Sequence, residues 1–515
     1  MSDFLYSSAE IRAIESAHAK KNPKQSLMRG AGAAVAAFAC TIIKKKRGAN
    51  ILVMAGPGNN GGDAWVAAAV LKKAGQRVTL LEAREQKNAD PVAKAACTAY
   101  RKAKGVVVKT FPIDGKYDLI IDGLFGIGLQ RPPEGIFADA ITNANSHADL
   151  YHVPILAIDV PSGLSADTGI AHGATIHADF TLTFLGAKPG LFTGDGVDCA
   201  GKIYVDSLGL AAVTSRGALL TRASAAPLIP KRRKNSHKGS FGNVGIVGGA
   251  AGMIGAAVLA ARAALHMGPG KVFLGLVAKD APGFDTINPE IMVRTAEELV
   301  MDEAMTSLAI GMGLGTDKTA PRLLTTALAQ SMPMVVDADA LTMISANPSI
   351  HASLQAKMAG TPHQSTSLIL TPHPGEAARL LGLTNDEVRT DRIAAARNIA
   401  KKFSAVTVLK GAGTVIAMPD GRYWINTSGN PGMASGGMGD ALSGMIAAFL
   451  AQGLNALDAA KLSVYLHGAA ADECLAHGMA PHGLTASEVI FEARTLLNAR
   501  LASHDHDHNQ FANNR

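Results

Sequence analysis

The sequence predicts two α/β domains, each a largely parallel sheet with helices on both faces, and three observations support this fold class. Short apolar runs of strand composition alternate with helical runs along most of the chain, as in βαβ units. The alternation stops over residues 215–240, where prolines and a basic run break the periodicity, and then starts again. Hydrophobic residues make up 48% of the chain but aromatic residues only 5%. The cores are therefore aliphatic, as helix-covered parallel sheets usually are.

Length, charge and cysteine content limit the class of protein. The 515 residues suffice for two domains with large cores. We place these domains at residues 1–222 and 223–502, with a disordered, histidine-rich tail at 503–515. A net charge of +7 is small for this length, so we expect no nucleic-acid partner. Four scattered cysteines without a CxxC pair indicate a reducing compartment.

The sequence predicts no membrane segment. The N-terminus lacks the charged and apolar regions of a signal peptide. The longest apolar stretch, residues 31–43, is too short and too rich in alanine and glycine to span a bilayer. We therefore expect a cytoplasmic homo-oligomer that acts on small molecules.

A glycine-rich segment follows the first predicted buried strand, residues 51–55. We predict that residues 56–64 form a turn and that a helix begins at Trp65. A strand, a glycine-rich turn and a helix together form the phosphate cradle of nucleotide-binding βαβ units. This segment also carries two asparagines and an acid, which can supply oxygen ligands. A tight strand-to-helix turn without a ligand is the alternative.

Oxygen-bearing side chains recur at the ends of the next predicted strands. Asp122 ends one strand, Asp159 and Ser162 follow another, and Lys188 follows a third. Ligands of open α/β sheets bind beyond the carboxyl ends of the strands. One such aspartate is usually a cap, but several converging strand ends predict a binding site, with room for a cation.

The second half contains a glycine cluster, residues 436–439, just before a predicted helix. Free amides and the helix dipole make such a turn an anion site. Asp440 follows directly, and a carboxylate beside bound phosphate suits a base that removes a proton from an attacking hydroxyl. A helix N-cap with a glycine-rich lead-in is the alternative.

Several motifs of the first half resemble the NAD(P)HX epimerase domain of the bifunctional NAD(P)H-hydrate repair enzyme family. They are PGNNGGDA, IDGLFGIGL, IDVPSGL and FLGAKPGL, within about residues 1–215. The resemblance implies a Rossmann-like domain that binds substrate through Asn59, Asn60, Gly61, Gly62, Asp63, Gly126, Ile127, Gly128, Leu129, Gln130, Arg131, Pro132 and Asp159. It also implies a potassium ion held by Asn60, Asp122 and Ser162. Asp159 is our candidate acid/base, with Lys188 as a helper. Ala64 departs from the glycine that is frequent there.

Motifs of the second half resemble the ADP/ATP-dependent NAD(P)H-hydrate dehydratase of the ribokinase-like superfamily. They are GMGLGT, VVDADAL, LTPHPGE, LKGAGT and GGMGDALSG, within about residues 225–500. The resemblance implies that the adenine nucleotide, with Mg²⁺, is held by Lys410, Gly411, Ala412, Gly413, Thr414 and Gly439. It implies that the hydrated nucleotide contacts Ala256, Gly315, His373 and Asp440. Taken alone, His373 would be a turn cap and Lys410 a surface lysine.

The expected function is repair of hydrated NADH and NADPH. The first domain would epimerise R- and S-NAD(P)HX, and the second would dehydrate the S epimer at the expense of ADP or ATP, with Asp440 as the catalytic base. A small-molecule kinase is the main rival, because the GxGD loop is common to that superfamily. A nucleotide-sensing or partner-binding module is the rival for the first half alone.

Overall fold

The computed structural model describes residues 3–22, 25–83, 90–129, 131–359 and 367–500. The chain divides into two compact units, Met1–Ala218 (unit 1) and Leu219–Arg515 (unit 2). The predicted boundary between residues 222 and 223 lies slightly further along the chain. The binding role expected for Gln130 and the tail expected at 503–515 fall outside the described residues.

Unit 1 is built on a parallel sheet. The strands of this sheet are β2 (Asn50–Ala55), β3 (Arg77–Glu82), β4 (Val106–Val108), β5 (Leu119–Gly123), β6 (Ile155–Ile158), β7 (Phe180–Phe184) and β8 (Lys202–Asp206). Strand β1 (Phe4–Leu5) lies outside it and pairs antiparallel with residues 217–218. The helices of unit 1 are α1 (Ser8–Lys21), α2 (Leu27–Ile42), α3 (Asn59–Lys73), α4 (Pro91–Lys102), α5 (Ile136–Tyr151) and α6 (Gly196–Cys199). The strand order β4-β3-β2-β5-β6-β7-β8 is parallel at every pair.

Strand β2 shows why this sheet is covered on both faces. Ile51 and Val53 belong to one buried apolar cluster, and Leu52 and Met54 belong to another. Successive side chains of a strand point to opposite faces, so an unbroken apolar run requires a core on each side. This confirms the predicted helix–sheet–helix layering of the first domain.

Helix α3 begins earlier than the sequence indicated. The prediction of a turn over 56–64 was wrong, because α3 starts at Asn59 with Gly58 as its N-cap. The glycines that suggested a loop serve close packing instead. A Cβ on Gly61 would lie 1.9 Å from the carbonyl oxygen of Gly56, and one on Gly62 would lie 2.5 Å from Met28. The first turn of the helix can therefore press against the end of β2.

Unit 2 contains the second sheet. Its strands are β9 (Gly217–Leu220), which crosses the boundary, β10 (Asn243–Gly248), β11 (Lys271–Leu276), β12 (Met292–Thr295), β13 (Ser307–Ile310), β14 (Met334–Val336), β15 (Leu368–Leu370), β16 (Val406–Leu409), β17 (Val415–Ala417) and β18 (Tyr423–Asn426). The helices are α7 (Arg222–Ala225), α8 (Ile254–His266), α9 (Ala296–Val300), α10 (Thr319–Ala329), α11 (Ala338–Ala346), α12 (Pro348–Ala359), α13 (Pro374–Leu381), α14 (Asn385–Thr390), α15 (Arg392–Phe403), α16 (Met438–Ala451), α17 (Ala456–Ala476) and α18 (Ala486–Thr495).

The sheet of unit 2 is parallel in its central part. Strands β16-β15-β14-β13-β10-β11-β12 lie side by side in that order and are parallel. Strands β17 and β18 extend the β16 edge as antiparallel neighbours. In unit 1 the chain runs outward from β2 to β4 and then continues at β5, on the other side of β2. In unit 2 it runs outward from β10 to β12 and then continues at β13, on the other side of β10. Such a switch point opens a crevice at the carboxyl edge.

Helix α16 is the central helix of unit 2. Every residue from Ala441 to Ala451 is buried, as expected of a helix that is apolar on all sides. It packs closely on α8, because a Cβ on Gly444 would lie 2.0 Å from the carbonyl oxygen of Ala260. This contact fixes the helix axis and therefore the position of its N-terminal turn. None of the described helices combines the length and the hydropathy that a bilayer span requires.

Two candidate active sites at the carboxyl edges of the sheets

Unit 1 contains a cavity of about 850 Å³ at the carboxyl edge of its sheet. Its walls come from α1, from the start of α3 and from the segments that follow β2, β5, β6 and β7. The predicted residues that line it are Asn59, Asn60, Asp63, Gly126, Ile127, Gly128, Leu129, Asp159 and Lys188. The fold therefore brings together side chains that are up to 129 positions apart in the sequence, from Asn59 to Lys188.

Asn60, Asp122 and Ser162 form a connected group beside this cavity. The hydroxyl of Ser162 donates to Asp122 Oδ1 at 2.7 Å and its backbone amide donates to Oδ2 at 2.8 Å. Asn60 Nδ2 donates to the carbonyl of Phe125 at 2.8 Å, and the amide of Phe125 donates to the hydroxyl of Ser162 at 2.9 Å. The three side chains proposed as potassium ligands thus meet around one loop residue.

Asp122 is a fully buried acid. Burial raises its pKa to about 6, against the hydrogen bonds from Ser162 and Leu124 that lower it. Among the described residues, no lysine or arginine forms an ion pair with this carboxylate. A buried carboxylate of this kind is stabilised by a nearby cation, and the oxygen-rich surroundings fit a hard monovalent one.

Asp159 and Lys188 form a buried ion pair beyond the carboxyl ends of β6 and β7. Lys188 Nζ donates to Asp159 Oδ1 at 2.6 Å, to Thr183 Oγ1 at 2.9 Å and to the carbonyl of Phe184 at 2.6 Å. The lysine is fully buried, whereas the Asp159 side chain keeps 14% exposure. Asp159 also has a φ of +65°, which is costly for a residue with a Cβ. The ion pair and the unusual backbone together aim this carboxylate at the cavity.

Further carboxyl groups share the cavity with Asp159. Burial, followed by the charges of Asp159, Glu15 and Asp90, raises the pKa of Asp63 well above its usual range. Burial and the Asp159 carboxylate also raise the pKa of Glu15, in α1. Two carboxyl groups with raised pKa values therefore lie in the same cavity as an ion-paired carboxylate.

Some predicted binding residues do not face this cavity. Gly61 and Gly62 are buried and lie against Gly56 and Met28, as described above. Arg131 and Pro132 are exposed and are not part of the cavity wall. The structure thus brings the first part of the predicted second loop, residues 126–129, to the site without its last two residues.

In unit 2, Asp440 lies in the first turn of α16, where the backbone amides are free to bind an anion. The turn begins at Gly437, whose φ of +88° is left-handed. Burial, and then the charge of Asp337, raises the pKa of Asp440 to about 6, and Asp339 adds to this while Lys410 opposes it. A half-buried carboxyl group with this pKa can accept a proton near neutral pH.

Asp337 and Lys410 hold the other side of this site. Lys410 Nζ donates to Asp337 Oδ1 at 2.6 Å, and the hydroxyl of Ser443, on α16, donates to Asp337 Oδ2 at 2.7 Å. A Cβ on Gly439 would lie 3.3 Å from Lys410 Nζ. The ammonium group therefore lies directly beside the N-terminal turn of α16, where the sequence placed the nucleotide phosphates.

The other predicted residues of unit 2 lie on loops, or in the first turn of a helix, that follow the carboxyl ends of its strands. Residues 411–414 form the turn of the β16–β17 hairpin, where Thr414 Oγ1 donates to the carbonyl of Gly411 at 2.9 Å. The amide of Gly315, after β13, donates to Asp339 Oδ2 at 2.8 Å. Ala256 lies in the first turn of α8, after β10.

His373 is the N-cap of α13. Its Nδ1 accepts hydrogen bonds from the amides of Gly375 at 3.0 Å and Glu376 at 3.4 Å. The Glu376 carboxylate accepts from the His373 amide at 2.7 Å, which completes a capping box. The side chain remains 51% exposed. The histidine therefore has the capping role that its isolated position indicated, with an exposed ring edge left for a ligand.

No sequence pattern assigned a role to four acids that the structure places in the sites, namely Asp337, Asp339, Glu376 and Glu15. Asp337 and Glu376 lie in two of the motifs quoted above, VVDADAL and LTPHPGE. Asp337 directly follows β14, and Glu376 lies in the first turn of α13. Glu15 had no comparable signal, because it is one acid among many on a charged helix. Only the packing of α1 against the strand ends reveals that it faces the cavity.

Two family models match the chain, one in each unit. The model described as YjeF-related protein N-terminus matches residues 24–190, and the NAD(P)H-hydrate dehydratase model matches residues 244–492. A bifunctional NAD(P)H-hydrate repair enzyme of Escherichia coli is 38% identical over 467 residues, which are 88% of this chain and 86% of that enzyme. A Coxiella burnetii enzyme of the same name is 36% identical and covers 96% of this chain and 99% of its own. This chain belongs to the bifunctional NAD(P)H-hydrate repair enzyme family.

Solved structures also resemble unit 2. The ADP/ATP-dependent NAD(P)H-hydrate dehydratase of Bacillus subtilis, co-crystallised with ATP/Mg²⁺, is 30% identical, with a TM-score of 0.46 over 54% of this chain and 96% of that one. A ribokinase-like superfamily protein of Enterococcus faecalis is 27% identical, with a TM-score of 0.47 over 56% of this chain and 98% of its own. Each of the two regions matched by the family models contains one of the two candidate sites.

Proposed function

We propose that this chain repairs hydrated NADH and NADPH through two activities, one in each unit. Unit 1 epimerises R- and S-NAD(P)HX at C6. Unit 2 dehydrates S-NAD(P)HX to NAD(P)H at the expense of ADP or ATP and releases AMP or ADP and phosphate. The observation that carries the proposal is a half-buried carboxyl group, Asp440, at the N-terminus of a buried helix and beside the lysine Lys410. Family membership supports the substrate class.

The chemistry of unit 2 follows from the leaving group. Hydroxide leaves carbon poorly, whereas phosphate leaves well, so phosphorylation of the C6 oxygen makes dehydration possible. Asp440 accepts the hydroxyl proton as the oxygen attacks the terminal phosphoryl group. The amides at Gly437–Gly439 and the Lys410 ammonium stabilise the charge that develops. The ring nitrogen then supplies the electron pair that expels phosphate and forms a C=N bond to C6, and loss of a proton from C5 returns that pair to nitrogen and gives the C5=C6 double bond of NAD(P)H.

The remaining unit 2 residues bind and orient the two nucleotides. Lys410 to Thr414 and Gly439 hold the adenine nucleotide, and Ala256, Gly315, His373 and Asp440 contact the hydrate. Asp339, whose charge reaches Asp440, would supply a carboxylate oxygen that fits the Mg²⁺ of a bound nucleotide. That ion supplies charge neutralisation between the phosphates. Because one hydroxyl must align with one phosphoryl group, only one epimer is a substrate.

In unit 1 the Asp159–Lys188 pair is the acid/base centre. Loss and return of the C6 hydroxyl is chemically easy, because the neighbouring ring nitrogen stabilises the cation that forms. Asn59, Asn60, Asp63 and residues 126–129 bind the substrate around this pair. Gly61 and Gly62 support that surface from below, through the close packing of α3.

In this proposal Asn60, Asp122 and Ser162 would hold a potassium ion, whose charge would stabilise the loop at Phe125 that these residues contact. The buried carboxylate of Asp122, which has hydrogen bonds but no ion-pair partner among the described residues, supports this assignment. The chain is first freed of potassium and then assayed in a potassium salt or in a lithium salt. We expect epimerisation to be at least about tenfold slower in lithium, because the smaller ion cannot contact all of the loop ligands at once. The Asp122→Asn variant should lose the potassium response. An equal epimerisation rate in both salts would contradict the assignment.

We further propose that the chain acts in the cytoplasm as a homo-oligomer. The small net charge and the unpaired cysteines support the compartment. Light scattering of the purified chain measures the assembly state directly.

One assay tests the proposed function as a whole. Both hydrate epimers are mixed with the chain and ADP or ATP, and the absorbance of the reduced nicotinamide is followed together with free phosphate. Repair predicts NADH and phosphate in equal amounts. A small-molecule kinase would instead leave a stable phosphorylated product without recovered NADH. A unit 1 that only binds nucleotides would leave the R epimer untouched.

A further inference from the structure

Helix α1 brings an acid, Glu15, into the cavity of unit 1. The start of the helix is fixed by a capping box, in which the Ser7 hydroxyl accepts from the amide of Glu10 and the Glu10 carboxylate accepts from the amide of Ser7. One turn before Glu15, Arg12 NH2 donates to the carbonyl of Ile127 at 3.2 Å. This bond ties α1 to the loop of residues 126–129, which lines the same cavity. The helix segment that precedes Glu15 is therefore fixed by its cap and by its bond to the cavity loop, and Glu15 follows one turn later on the cavity wall.

The surroundings of Glu15 raise its pKa above the usual range of a glutamate. Burial is the largest cause of its raised pKa, the Asp159 carboxylate is the next, and Lys188 and Arg12 act in the opposite direction. The same cavity wall carries the ionisable groups of His18, Arg29, Asp63 and Asp90. The Asp159 carboxylate, in contrast, is held by Lys188 at 2.6 Å. The cavity therefore contains both an acid with a raised pKa on a helix and an ion-paired carboxylate at a strand end.

Epimerisation at one carbon requires such a pair. The hydroxyl must leave with a proton from one side of C6, and water must return to the other side and give up a proton. A single acid/base group reaches one face of the ring, so a second group on a separate wall is needed. This step rests on the epimerase activity proposed above.

We propose that Glu15 is the proton donor for the departing C6 hydroxyl and that Asp159 is the proton acceptor on the other face. Glu15 transfers its proton to the hydroxyl oxygen, and the C6–O bond breaks with its electron pair leaving on water. The ring nitrogen lone pair forms a C=N bond with C6. Water then adds to the opposite face, its proton passes to Asp159, and the electron pair returns to nitrogen. The reverse passage, or exchange with solvent, restores both groups.

The test uses the full chain without ADP or ATP, so that only epimer exchange is measured. Pure R-NADHX is supplied and the appearance of S-NADHX is followed by chromatography. We expect Glu15→Gln to lower the exchange rate about 100-fold, which is a usual effect of removing one acid/base group. Asp149→Asn, which neutralises an exposed acid on α5 outside the cavity, should match the wild type. Dehydration of S-NADHX by the Glu15→Gln chain should stay within twofold of wild type, which shows that the variant is folded.

The pH profile separates proton donation from positioning. A donor acts in its protonated form, so wild-type exchange should fall as pH rises through the pKa of Glu15, and Glu15→Gln should lack this fall. Glu15→Asp, which keeps the acid, should retain the descending limb at a lower rate. Equal exchange in Glu15→Gln and Asp149→Asn, or a loss that is the same at every pH, would overturn the proposal. If the wild type itself does not interconvert the epimers, the proposed epimerase function fails and this inference fails with it.

Discussion

At the scale of single residues, the key property of the dehydratase site is the proton affinity of Asp440. Its carboxyl group is half buried and faces the charge of Asp337, so its pKa rises to about 6. A base must lose its proton to act, yet must bind the substrate proton strongly enough to remove it. The position of Asp440, beside free helix amides and Lys410, meets both needs at neutral pH.

We expect Asp440→Asn to lower kcat for dehydration about 10²- to 10⁴-fold, because the amide cannot accept the hydroxyl proton. Affinity for ADP or ATP, measured by calorimetry, should stay within a few-fold, since Lys410 and the helix amides remain. Asp386→Asn, which changes an exposed acid in the first turn of α14, is the matched control. Turnover in Asp440→Asn equal to that control would exclude Asp440 as the base.

The same residue predicts the acid side of the pH profile. The active form is the carboxylate, so wild-type kcat/KM for dehydration should rise about tenfold per pH unit below about 6 and level off above it. Asp440→Asn should show a low rate without this rise. A wild-type profile that is flat from pH 5 to about 8 would contradict the assignment.

At the scale of elements, glycines decide how closely the site-forming helices approach their sheets. Gly61 allows the first turn of α3 to lie on the end of β2, and Gly444 allows α16 to lie on α8. Each contact is between backbone atoms, so a Cβ cannot be accommodated by rotation of a side chain. The helix N-termini that present Asn60, Asp63 and Asp440 are therefore set by packing and not by the loops before them.

We expect Gly61→Ala to destabilise unit 1 by about 1–3 kcal/mol, because its Cβ would overlap the Gly56 carbonyl oxygen. Epimerisation should fall with it, as Asn60 and Asp63 move, while dehydration by unit 2 should be unchanged. Gly30→Ala, on the exposed side of α2 and outside the cavity wall, is the control, since its Cβ would make only an ordinary contact 3.6 Å from Leu208. Thermal unfolding and epimer exchange provide the readouts, and indistinguishable results for the two variants would show that the close contact is unimportant.

At the scale of the whole molecule, two units with separate sheets and separate sites occur in one chain. The proposed activities depend on each other through the stereochemistry of the substrate. A dehydratase that accepts one epimer leaves the other behind, and an epimerase supplies the missing one. The benefit of the fusion should therefore appear in the final yield of repair.

We expect the wild-type chain to convert a mixture of both epimers completely to NADH with excess ADP. Asp159→Ala, which removes the partner of Lys188 in unit 1, should convert only the S fraction rapidly and then stop at that plateau, with an unchanged initial rate. The amplitude of the absorbance change is the measurement. Complete and equally fast conversion by Asp159→Ala would remove this residue from the epimerase mechanism.

The sequence alone determined the fold class, the two-part organisation and the motif segments. These depend on local patterns: apolar runs of strand length, glycines near strand ends, and one interruption of the alternation near residue 220. The start of α3 was misjudged because a glycine that allows a turn and a glycine that allows close packing look alike in a sequence. The family assignment agrees with the motifs and supplies the substrate class, which residue patterns could not.

Only the tertiary structure decided which groups share a site and how their protons are held. The ion pair of Asp159 with Lys188, the triangle of Asp337, Lys410 and Ser443, and the exposure of Glu15 to the cavity all join distant parts of the chain. Burial and neighbouring charge set the pKa values of Asp122 and Asp440, and both are properties of the folded surroundings. A linear sequence specifies the ionisable groups, but their proton affinity depends on what packing places around them.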